Sequence, residues 1–149
     1  MLTPQISAWV MLVFTGLWTG GILIFAVERI NLWKRMPVEQ YAVDFRRSLF
    51  RVDPLMPILG SVAGIAAVVF ALGSTGLAKR LTWTGILFVA LVIAASILLA
   101  EPINSKFRRL PEGQVPERAE YYRRIWRLFH LGRTVAAIAA LSCFAAAVS

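Results

Sequence analysis

The sequence is poor in the side chains on which nucleophilic, metal and acid-base chemistry usually depends. Among 149 residues there is one cysteine, Cys143, and one histidine, His130. A lone cysteine inside an apolar run forms no intrachain disulfide and completes no thiolate metal motif, so packing is its expected role. A lone histidine excludes the paired Glu-x-x-His ligands of di-iron helix bundles. No phosphate loop, dinucleotide fingerprint or Ser-His-Asp arrangement occurs. No Lys or Arg precedes the first apolar run and no small-residue cleavage site follows it. That pattern predicts a retained span rather than a signal peptide.

What the chain has in quantity is apolar surface. Hydrophobic residues make up 58% of it and the mean hydropathy is +0.69, far more than one small soluble core needs. Four stretches, about 6–27, 55–78, 81–100 and 128–148, approach the roughly 20 residues that a helix needs to cross the hydrocarbon. The expected fold is all-α, a single integral membrane four-helix bundle over residues 1–149. Basic residues concentrate in connections 29–52 and 104–127, whereas the turn between the second and third spans has only Lys79 and Arg80. By the positive-inside rule both long connections are expected to be cytoplasmic and both termini on the other side. The net charge of +8 is then mainly this topological signal, and no nucleic-acid partner is expected. The expected setting is a multi-pass protein of a bacterial inner membrane.

Two phrases organise the chain: Glu28-Arg29-Ile30-Asn31 and Glu101-Pro102-Ile103-Asn104, each where a long apolar run stops. In both, Glu and Asn lie three apart and share a helix face. Lys34-Arg35-Met36-Pro37 and Arg108-Arg109-Leu110-Pro111 continue the parallel, and Asp53 falls opposite His130. This predicts a tandem repeat of two-helix units about an axis along the membrane normal. Glycine pairs Gly16/Gly20 and Gly60/Gly64 predict close packing of spans one and two. The connections carry amphipathic patterns, Tyr41, Phe45, Leu49 and Phe50 in the first and Tyr121, Tyr122, Ile125, Trp126 and Phe129 in the second. The second should run unbroken into the last span.

With this topology Glu28, Asn31, Asp53, Glu101, Asn104, His130 and Arg133 gather at one end of the bundle, with Trp126 one turn from His130. Ionisable groups at such depth are costly, and Arg133 needs a counter-charge, for which Glu28 and Glu101 are the expected suppliers. Each residue also has a bland reading: interfacial ion pairs for Glu28 and Asp53, helix termination for Glu101 before Pro102, capping for Asn104, and a structural hydrogen bond for His130. No cofactor is expected. The set leaves room for a single iron, manganese or zinc ion on His130 and the carboxylates, against which the charge of Arg133 acts.

Pro102-Ile103-Asn104, followed by Trp126, His130 and Arg133, resembles the anthrone oxygenase-like family of small four-span membrane proteins, most strongly over residues 98–140. Trp18, Gly20 and Gly21 give span one a similar look. The resemblance implies oxygenation of polyketide anthrones to anthraquinones without flavin, haem or metal, and it carries over Asn104, His130 and Arg133. Glu28 and Glu101 come from the residue reading alone. Together they give His130 as base, held by Glu101 or Glu28. Arg133 and Asn104 steady the enolate oxygen and nascent superoxide, Trp126 and Tyr122 stack on the rings, and Asp53 and Asn31 complete the substrate-binding set. Membrane lipids and a lipophilic small molecule are the expected partners, with a homo-oligomer or larger membrane complex left open. The competing readings are a non-catalytic membrane subunit or a lipid-binding or small-molecule-binding module, and transport. An enzyme needs a pocket at the polar cluster, a subunit needs that cluster mutually satisfied, and a transporter needs charges at mid-membrane.

Overall fold

The computed structural model describes residues 2–149, which are helical almost throughout and contain no strand. The chain runs α1 (Leu2–Ile24), a wide π-helical turn (Phe25–Arg29), α2 (Ile30–Arg35), α3 (Val38–Val52), α4 (Leu55–Gly73), α5 (Gly76–Ala95), a second wide turn (Ser96–Ala100), α6 (Glu101–Arg109) and α7 (Ala119–Val148). Four rods, Pro4–Arg35, Leu55–Gly73, Gly76–Arg109 and Ala119–Val148, are long and apolar enough to cross a membrane. The protein is thus of the multi-pass membrane type.

Two rods extend well beyond the apolar runs that announce them. The first and third do not stop at Glu28 and Glu101 but carry both Glu-x-Ile-Asn phrases inside continuous helix, next to the wide turns. Helix termination is therefore not the role of Glu101. Pro102 lacks an N–H, but it stands just past a wide turn where the hydrogen-bond register has already shifted, so the rod continues through it. The chain breaks at Met36-Pro37, at Asp53-Pro54 and between Leu110 and Arg118. It reverses between α4 and α5 at Ser74-Thr75, where Gly76 takes a φ of +57°, a left-handed conformation suited to glycine. As expected, α7 runs unbroken from the connection into the span.

In the bundle, α1 packs against α4 and α7, and α5 packs against α7 and α4, closing a four-membered ring. The membrane core is built from Met11, Trp18, Ile22, Ala67, Phe70, Val89, Ala137, Ala140 and Phe144. Its small residues are not all where the glycine spacing pointed. A Cβ on Gly16 or Gly20 would meet nothing within 4 Å. The close approaches are instead Gly21 against Met56, Gly60 against the Trp18 indole at 3.2 Å, and Gly85 against the Phe144 ring.

The two long connections do not trail in solvent. They fold on each other as a second, aromatic core in which Trp33 of α2, Tyr41, Phe45 and Leu49 of α3, Phe107 of α6 and Trp126 of α7 interlock. The helix α3 buries Tyr41, Ala42, Phe45 and Leu49, one stripe at helical spacing. Ring pairs such as Phe45 with Phe107 (4.8 Å between centroids) and Trp33 with Trp126 (5.5 Å) meet edge to face. Arg123 joins the halves by donating to the carbonyls of Trp33 (3.0 Å) and Met36 (2.8 Å), which end α2. The polar cluster lies where this head meets the membrane core.

Candidate functional site

His130 is fully buried where Ile22 of the membrane core meets Trp126 of the aromatic head. Its ring stacks on Trp126 (centroids 4.9 Å apart, planes at 22°) and stands 5.9 Å from Phe25. Nε2 lies 3.0 Å from the Ile22 carbonyl oxygen, which can only accept. Nδ1 receives the Arg133 guanidinium, at 3.0 Å from Nε and 2.7 Å from Nη2. An arginine only donates, so the proton sits on Nε2 and the Nδ1 lone pair is engaged. This corrects the expectation that Glu101 or Glu28 would hold His130: its partners are Arg133 and a backbone carbonyl. Among the described residues no three of His, Cys, Asp and Glu come together, and the one accessible ring lone pair faces a guanidinium.

Arg133 bends back over its own helix, with its guanidinium 5.4 Å from the Trp126 ring and 5.3 Å from that of Phe129. Among the described residues it makes no ion pair. The carboxylate facing it across the cavity is Asp53, whereas Glu28 and Glu101, the expected counter-charges, are engaged elsewhere. Glu28 is exposed and pairs with Arg29 at 3.2 Å, and Arg29 also reaches Asp44 at 3.1 Å. Glu101 pairs closely with Arg108 and accepts from the Ser105 hydroxyl at 3.3 Å.

Asp53 is the hub. Its Oδ2 accepts from Asn104 Nδ2 at 3.3 Å and lies 3.8 Å from Arg108. Asn104 is buried and its Oδ1 in turn accepts from Trp126 Nε1 at 3.1 Å. One chain of polar contacts thus runs from Glu101 through Arg108, Asp53 and Asn104 to the indole that stacks on His130. Burial lifts the Asp53 carboxyl above the usual carboxylate range; Arg108 pulls it down, Glu101 pushes it up and Arg133 pulls it down.

Two cavities meet at this hub. A small one of about 30 Å³, room for a water, lies among Phe25, Trp33, Trp126, Asp53 and Arg133. The larger, about 550 Å³, runs between the start of α4 and the end of α5. Its body is apolar, with Trp18, Ile22, Met56, Val92 and Ile93, and its polar end holds Asp53, Asn104, Arg108, Glu101 and Arg133. Phe50 and Ile97, 57% and 63% exposed, stand at its rim.

Of the residues singled out in the sequence, Asp53, Glu101, Asn104 and Arg133 line the large cavity, and Trp126 lines the small one. His130 is one contact behind Arg133. Three lie outside. Glu28 and Asn31 are exposed, and Asn31 donates to its own Val27 carbonyl at 3.0 Å. Tyr122 is covered by the Lys106 ammonium 5.3 Å over its ring. The reason in the first case is rotational: nothing in the chain's periodicity says which face a rod presents after a wide turn. Arg108 was overlooked as one more basic residue of a connection, although it lies four residues from Asn104 and so shares its face. Met56 carries no signal beyond hydrophobicity, and Trp18 only the family look that it gives span one.

A family model described as anthrone oxygenase matches residues 45–143. No curated protein and no solved structure matches the chain. The matched segment takes in Asp53, Asn104, Trp126, His130 and Arg133, as well as Tyr122, and stops short of Glu28 and Asn31. With about two thirds of its length matched, and with four membrane-crossing helices around that polar cluster, the chain belongs to the anthrone oxygenase family.

Proposed function

We propose that the protein is a membrane-embedded oxygenase that takes a lipophilic, anthrone-like aromatic from the bilayer and oxidises it with O2, without a cofactor, in the cavity between α4 and α5. The observation that carries this reading is the presence, in one cavity of about 550 Å³, of the half-buried Asp53 carboxylate and the Arg133 guanidinium, which makes no ion pair among the described residues. Asp53 is the base and Arg133 the cation. This differs from the role expected for His130, which does not reach the cavity and instead orients Arg133.

The chemistry asks little more. An anthrone carries a ring methylene acidified by the carbonyl opposite. Asp53 takes one methylene proton, and the electron pair left behind spreads to the carbonyl oxygen, where Arg133 and Asn104 hold it. The electron-rich anion passes one electron to O2, giving a carbon radical and superoxide, which combine to form a C–O bond. The resulting hydroperoxide loses its remaining ring hydrogen as a proton, the O–O bond breaks, and water leaves a second carbonyl. One O2 is consumed; one oxygen atom enters the quinone and the other leaves as water with the two methylene hydrogens. The apolar walls strengthen the Arg133 contact and keep bulk water from the anion.

Oxygen uptake by the purified protein in lipid nanodiscs, supplied with an anthrone, tests the proposal. The expected outcome is consumption well above the protein-free rate, abolished in Asp53→Asn. If wild type binds the anthrone, as read by quenching of indole fluorescence, without accelerating uptake, the second reading stands: a small-molecule-binding module, which the internally satisfied His130 favours.

A further inference from the structure

The last two turns of α3 carry Arg46, Arg47 and Arg51 around a cleft of about 230 Å³, which Val43, Phe50 and Glu112 complete. Three guanidiniums there meet a single carboxylate. Arg47 pairs with Glu112 at 3.3 Å, and both are well exposed. Among the described residues Arg46 and Arg51 make no ion pair, and the buried Nε of Arg46 has no hydrogen-bond partner. Arg46 is held in place by the Phe50 ring, 5.4 Å from its guanidinium. This is an excess of planar donors pre-set for an oxyanion, and the forked geometry of arginine suits phosphate.

The position of the cleft says which phosphate. Arg51 stands four residues before Leu55, where the α4 span begins, so the guanidiniums lie at the level where lipid headgroups meet the bundle. Phe50 in the cleft, and Leu55 and Ile58 in the first turn of the span that follows it in the chain, are apolar and 57%, 51% and 58% exposed, side chains that an acyl chain can cover. We propose that Arg46, Arg47 and Arg51 bind the phosphate of an anionic phospholipid, whose chain runs over Phe50, Leu55 and Ile58. Phe50 lines both this cleft and the large cavity, so the bound lipid forms part of the cavity mouth. A free phosphate shares the headgroup chemistry but has no use for those apolar side chains.

Native mass spectrometry of the detergent-solubilised full chain, titrated with dioleoylphosphatidylglycerol, tests the assignment. Arg51→Gln should weaken lipid retention about fivefold, and Arg46→Gln with Arg51→Gln about twenty-five-fold, from the typical attraction of one basic side chain to an anionic headgroup. Lys79→Gln with Arg80→Gln, at the opposite end of the bundle, should leave it unchanged. Phe50→Ala should weaken the lipid, and millimolar inorganic phosphate should not displace it. Arg51 is exposed and unpaired, so its single variant folds and keeps the test valid even if the double variant does not. Equal retention by Arg51→Gln and wild type overturns the site, as does equal retention of dioleoylphosphatidylcholine by wild type. Displacement by inorganic phosphate with no effect of Phe50→Ala overturns the lipid assignment in favour of free phosphate.

Discussion

Asp53, the proposed base, stands where its surroundings pull in opposite directions. Burial and Glu101 favour the neutral carboxyl, while Arg108 and Arg133 favour the anion, and the net displacement is upward. In the proposed reaction the base must be ionised to act, so turnover should be lost as pH falls through the raised Asp53 value. The acid limb of kcat/KM therefore lies above the pH of about 3.9 expected of an ordinary aspartate. Glu101→Gln removes a neighbour that raises Asp53 and should move this limb to lower pH. Arg108→Gln should move it higher, and rates corrected for spontaneous anthrone oxidation at each pH will show both. His130 and Arg133 are joined by short hydrogen bonds, so they should act as one unit. Arg133→Gln is expected to cost about a hundredfold in kcat, and adding His130→Ala should cost little more. Fully additive losses in the double variant would show that His130 acts independently of Arg133.

At the level of the helices, the two wide turns and a few close contacts decide what the regular pattern cannot. One extra residue in a turn rotates everything after it by about 100°. The wide turn at Ser96–Ala100 precedes the face on which Ile103, Asn104 and Phe107 are buried, whereas Asn31 after the first wide turn is left outside. Glycine contacts are equally particular. A methyl on Gly85 would overlap the Phe144 ring, so Gly85→Ala should lower stability by about 1–3 kcal/mol. Gly16→Ala and Gly20→Ala, with open space beside both, should leave thermal unfolding unchanged. Melting curves of the three variants in one detergent separate these outcomes, and Phe144→Leu should restore part of what Gly85→Ala loses.

Across the whole molecule, a membrane core in which alanines interleave with larger apolar side chains and a head core of aromatic rings adjoin each other, and the cavity sits at their junction. The head is fastened by few polar ties. Arg123 bridges α7 to the last carbonyls of α2, and Trp33 donates to Asp44 at 2.6 Å. Arg123→Ala leaves those carbonyls without their donor, so hydrogen exchange should quicken over residues 36–44 while the spanning rods keep their protection. Uniform loss of protection along the chain would mean that head and bundle unfold as one unit.

Much of this was readable in the chain. Long apolar runs divided by basic segments specify four membrane helices, because a backbone in hydrocarbon must satisfy its own hydrogen bonds and only a helix does so within one segment. Polar residues at the run ends place Asp53, Asn104, His130 and Arg133 at one end of the bundle, and the spacing of Asn104, Trp126, His130 and Arg133 is enough to suggest the family. Which of them meet was decided by tertiary structure alone. Glu28 and Glu101 look alike in sequence, yet one pairs with Arg29 on an exposed face and the other closes on Arg108 at the cavity rim. His130, the obvious base from composition, has both nitrogens occupied, and Asp53 inherits the cavity. The physical reason is angular. Hydrophobic runs record how far a helix extends, but the direction a side chain faces after a wide turn is set by packing against the neighbouring rods.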